Sequence, residues 1–92
     1  MADYRVVSTG NPGDREMVGW RAYEYIEDGR GGLIDTPAVD GGMRQQAPGW
    51  RRAPARRAQI AALNREMQEC AGRLRAEGHD VTIYPFNLDI VT

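Results

Sequence analysis

The chain of 92 residues has no lysine, one cysteine, one histidine and one serine, and each scarcity removes a class of chemistry. Cys70 alone cannot form a disulfide within the chain, and it supplies too few thiolates for a cysteine-based metal cluster. Small secreted domains generally need such staples, so a cytoplasmic location is expected. Schiff-base chemistry on lysine is excluded by composition. A serine hydrolase would have to use Ser8, which lies in no nucleophile-elbow pattern. Cys70 and His79 form a conceivable nucleophile–base pair, but Cys70 falls on an apolar helical stripe where a thiol acts as a small hydrophobe, and no third group is placed to orient the pair. The acids Asp28, Asp35 and Asp40 fit no calcium-loop spacing and read as solvated loop residues. No catalytic residue, metal or cofactor is therefore expected, and the chain reads as a non-enzymatic protein.

Long apolar runs are lacking too. Nothing approaches the ~20 residues of a membrane span, and the opening MADYRVVSTG meets Asp3 before any apolar core, unlike a signal peptide. The apolar share of 41% and charged share of 27% are those of one globular domain, taken as residues 1–92. A net charge of −1 exerts no global pull on nucleic acid or acidic membranes. All 12 basic residues are arginine. With equal use of both cations the chance of that is roughly one in four thousand, outside ordinary surface composition. Arginine codons are rich in G and C, so the bias points to a high-GC genome, such as that of an actinobacterium or one of its phages.

What is present is a set of strand signals followed by a helix. Residues 4–9 (YRVVST) are β-rich and run into a dense turn signal at Gly10, Asn11, Pro12, Gly13 and Asp14. Residues 15–27 fit either period, but Val18, Trp20, Tyr23, Tyr25 and Ile26 suit a pleated surface and Gly19 weakens a helix, which favours a strand. The glycine-rich loop after Asp28, followed by Leu33 and Ile34, reads as a hairpin connection. Residues 35–54 lack periodicity and are rich in Gly, Pro and Gln, as in a flexible loop.

Residues 55–77 form the clearest helix, with Pro54 suited to its first turn and Gly78 to the position just past its end. Ile60, Leu63, Met67, Cys70 and Leu74 recur at helical spacing as one stripe. Residues 81–86 (VTIYPF) read as a strand that Pro85 ends at a sheet edge, and Leu88, Ile90 and Val91 as a last alternating fragment. The expected fold class is α+β, in the order β-β-(β)-loop-α-β: a small, mostly antiparallel sheet packed against one long amphipathic helix.

The stretch RVVSTGNPGDRE resembles the opening of nucleotide-binding βα folds, and that resemblance implies a helix over residues 15–27. Read as strand–turn–strand, the same stretch is similar to the sheet of double-stranded-RNA-binding domains, whose lysine-rich helix start this sequence lacks. The most pointed local feature is GMRQQAPGWRRAPARR, a run with five arginines and no acid. Trp50, Arg51, Arg52, Arg56 and Arg57, together with Ile60, Leu63, Met67 and Leu74 on the stripe, are the expected partner-binding residues. The expected function is a self-associating protein-interaction module, a homodimer through the helix. The alternative is a nucleic-acid binder that uses guanidinium groups for phosphates and Trp50 for base stacking.

Overall fold

Alternation of apolar and polar residues places strands at β1 (Asp3–Thr9) and β2 (Met17–Glu24). The computed structural model describes residues 2–9, 17–34 and 36–86. The turn expected at Gly10 to Asp14, Asp35 and the fragment from Leu88 to Val91 lie outside the described residues. β3 (Ile26–Glu27) and β4 (Leu33–Ile34) pair as a two-stranded ribbon. It forms the tip of the connection from β2 to β5 (Ala38–Gln45). The helix α1 (Ala53–Ala76) then leads to β6 (Asp80–Tyr84).

The main sheet has the order β5-β2-β1-β6. β1 pairs antiparallel with β2, β2 antiparallel with β5, and β1 parallel with β6. A parallel neighbour requires a crossover, which α1 supplies. The result is an α+β fold with a four-stranded mixed sheet and one long helix after the first strands. β2 being a strand corrects the helix that the nucleotide-fold resemblance implies.

β5 corrects the expected flexible loop over residues 35–54. Asp40, Gly41 and Gly42 hide its period, yet those glycines are what let it pair. A Cβ on Gly42 would lie 3.0 Å from Trp20 Nε1 and 3.3 Å from Glu66 Oε1. On the opposite strand, a Cβ on Gly19 would collide with the Gly42 carbonyl and stand 2.6 Å from Met43 Sδ. Neither strand could approach the other with larger residues there.

The core lies between one sheet face and α1. Val6, Val18, Trp20 and Ala22 point into it from the strands, and Ile60, Leu63, Met67, Cys70 and Ala71 from the helix. Leu74, Val81, Ile83 and Phe86 pack at its margin. The stripe is therefore turned inward. Ile60, Leu63 and Met67, expected to grip a partner, are at most 1% exposed and serve the chain's own sheet. Trp50 is corrected likewise: at 9% exposure it closes the core and offers no ring for stacking.

The helix ends as its sequence requires. Gly78 takes φ 92°, while its N–H donates to the Arg75 carbonyl and that of His79 to the Leu74 carbonyl. Its start is less satisfied: Arg52 occupies the N-cap without a side-chain cap, and the first turn holds no acid. Replacing Leu63, fully buried at the centre of the stripe, by alanine should lower unfolding free energy by about 2–5 kcal/mol. Denaturant titration reads this directly, and a loss well below that range would show that the stripe does not hold the core.

Candidate interaction surface

Because strand side chains alternate, the face opposite α1 receives every second residue. On it lie Arg5 and Val7 of β1, Arg21 and Tyr23 of β2, Met43 of β5, and Tyr84 of β6. Nothing among the described residues covers this face. Met43 is 51% exposed and Tyr84 45%. Guanidinium groups lie on its aromatic rings. Arg5 Cζ stands 3.5 Å from the Tyr25 ring centroid and 5.7 Å from that of Tyr84, and Arg21 Cζ is 5.4 Å from that of Tyr23. Arg5 Nε is buried and makes no hydrogen bond among the described residues. Tyr25 donates to Glu27 at 2.9 Å, and this carboxylate contact raises the phenol's pKa. Thr9 donates to Met43 Sδ at 3.1 Å, laying the thioether across Gly19.

On the helix side, polar contacts pin β5 to α1. Arg44 forms a two-pronged ion pair with Glu66, one arm being Nη2 to Oε1 at 2.7 Å, and Trp20 Nε1 donates to the same oxygen at 3.3 Å. Two turns along, Arg73 Nη2 meets Asp40 Oδ2 at 2.8 Å. An open groove of about 290 Å³ lies beside this pair, with Tyr4, Cys70, Leu74 and Glu77 in its wall. Burial, followed by the charge of Asp40, pushes the Cys70 thiol pKa up, so at neutral pH it is a protonated core residue.

No known family, curated protein or solved structure matches this chain. What the surfaces can do is therefore argued from their own chemistry.

The expected arginine site divides. Arg51, Arg52 and Arg57 are exposed at the start of α1. Arg56 instead folds back, with Nη1 donating to the Trp50 carbonyl at 3.2 Å and the Arg51 carbonyl at 3.3 Å. Gln59 fastens the preceding loop, accepting from Ala47 N–H at 2.8 Å and donating to the Gln45 carbonyl at 2.9 Å. Leu74 remains half-buried at the core margin. Alternation in the sequence already sets Arg21, Tyr23 and Tyr25 on the side opposite Val18, Trp20 and Ala22, although none of the three is among the expected partner-binding residues.

His79 is spoken for by structure. Its Nδ1 accepts from Ala2 N–H at 3.3 Å, and its ring meets Tyr4 edge-on at 4.9 Å. Asp28 caps its own loop, accepting from the Arg30 and Gly32 amides at 2.8 and 3.0 Å. Among the described residues no three His, Cys, Asp or Glu side chains cluster as metal ligands, and no helix is long and apolar enough to cross a membrane.

Glu66 carries the sharpest pH signature. The hydrogen bond from Arg44, with a smaller one from Trp20, holds its carboxyl below the usual range against the opposing effect of burial. A carboxylate whose folded pKa is depressed stabilises the fold above its unfolded pKa and loses that contribution as pH falls through the folded value. The gap in thermal midpoint between the native chain and Glu66→Gln should be widest near neutrality and shrink in acid. A gap independent of pH would show that the ion pair does not hold β5.

Proposed function

We propose that this chain is a non-enzymatic interaction module that self-associates through its sheet, of which α1 leaves the outer face and the β5 edge open. The observation that carries the reading is the unequal treatment of the two sheet faces. One packs against the whole helical stripe, while the other exposes Met43 and Tyr84 beside stacked Arg and Tyr side chains. Aromatic and arginine side chains next to apolar ones are the composition of interface cores. An exposed apolar patch of this kind marks association more often than catalysis. The scarcity of cysteine fits a cytoplasmic module, and the absence of lysine fits an actinobacterial or phage source.

Sedimentation at micromolar concentration should give close to twice the chain mass of 10.3 kDa. Replacing Met43 by Asp should return a folded monomer, since its side chain is half-exposed in the single chain. A native chain that stays monomeric throughout would overturn the reading.

A nucleic-acid reading rests on a separate observation. Arg51, Arg52 and Arg57 crowd the positive end of the helix dipole, where cations are unfavourable and anions are welcome. With Trp50 buried, such binding would be electrostatic and indifferent to sequence. Three or so neutralised phosphates give a log–log salt slope of about −3. Binding that survives replacement of all three arginines by Gln would eliminate this site.

A further inference from the structure

We infer that the second copy docks edge to edge on β5, antiparallel and centred on Gly42, so that Asp40 of each copy faces Arg44 of the other. This deepens the self-association proposed above and rests on it. β5 is a terminal strand of the sheet, bonded to β2 on one side only. Edge strands are commonly guarded by Lys, Pro, a bulge or an inward charge. β5 has neither Lys nor Pro, its register shift falls opposite Ala22 and Tyr23, leaving the stretch from Asp40 to Gln45 regular, and its inward charges, Asp40 and Arg44, are each paired to α1.

Gly41 N–H donates to the side chain of its own neighbour, Asp40 Oδ1, at 2.8 Å on the exposed surface. A second strand would offer that amide a carbonyl and release the carboxylate oxygen.

The charges select both the occupant and the register. Asp40 and Arg44 are four residues apart on one strand face, both toward α1. In a two-fold antiparallel pair centred on Gly42, Asp40 stands opposite Arg44 of the second copy, and the symmetry repeats the contact. Met43 then lies opposite Gly41, where no side chain obstructs it. Centring the pair on Gly41 instead puts Asp40 opposite Gly42 and loses both charge contacts. A one-residue slip would turn the two helices to opposite faces of the joined sheet. Parallel pairing in register would set like charges side by side. Both side chains retain room for a second partner, Asp40 being 40% and Arg44 48% exposed.

The test is a charge-swap mixing experiment followed by sedimentation. Asp40→Arg and Arg44→Asp should each weaken self-association by about tenfold or more, because two attractive pairs become two repulsive ones. Mixed in equal amounts, the two variants restore both opposite-charge pairs and should associate as heterodimers near the native affinity. Circular dichroism of each variant establishes that it is folded. Should either variant fail to fold, Met43→Lys, which alters only an exposed side chain, must weaken association in its place. A native dimer indifferent to these changes, or one not restored by mixing, would overturn the β5 interface while leaving self-association intact. A native monomer would overturn both.

Discussion

One helix can cover only one face of a sheet, and the rest of this structure follows from that constraint. The stripe from Ile60 to Leu74 is the longest apolar surface in the chain, and the inward residues of β1 and β2 consume it. Trp20 and Trp50 fill the remaining width, so the core is closed by a chain of 92 residues without a disulfide. Among the described residues no helix packs on the opposite face. A domain of this size buries a smaller fraction of its surface than a larger one and depends on each core side chain accordingly.

Arginine does the joining at the margins of that core. Arg44 engages Glu66 with two nitrogens, Arg73 holds Asp40, and Arg56 reaches two carbonyls at once. Arg5 sits over the Tyr25 ring, its Cζ 3.5 Å from the centroid. Forked, planar contacts of this sort are available to a guanidinium and not to an ammonium, so a lysine-free sequence loses little here. The same contacts fix β5 beside α1 and give its outer edge a defined charge pattern.

The fold was largely legible in the sequence. The 3.6-residue stripe with Pro54 and Gly78 at its ends marked α1, and β-branched residues marked β1 and β6. β5 was not legible because Asp40, Gly41 and Gly42 carry neither alternation nor strand propensity. Its pairing depends on the absence of side chains opposite Trp20, which is tertiary information. Trp50 was misread for a related reason: a tryptophan among arginines looks exposed until the turn from Pro48 to Arg51 brings it under α1. Periodicity shows that a face is apolar and not which surface covers it, so Ile60, Leu63 and Met67 read equally as core and as partner-binding residues. The candidate surface stayed hidden for want of strand register, which alone brings Arg5, Tyr23 and Tyr84 to one side.

The central claim is that the helix serves the chain's own core while the sheet is left for a second copy. Amide hydrogen exchange followed across a range of protein concentrations separates these roles most directly. The amides of α1 should be protected to the same degree at every concentration, whereas those of Gly41 and Met43 should gain protection as concentration rises. Protection that grows along α1 and stays constant along β5 would contradict the account.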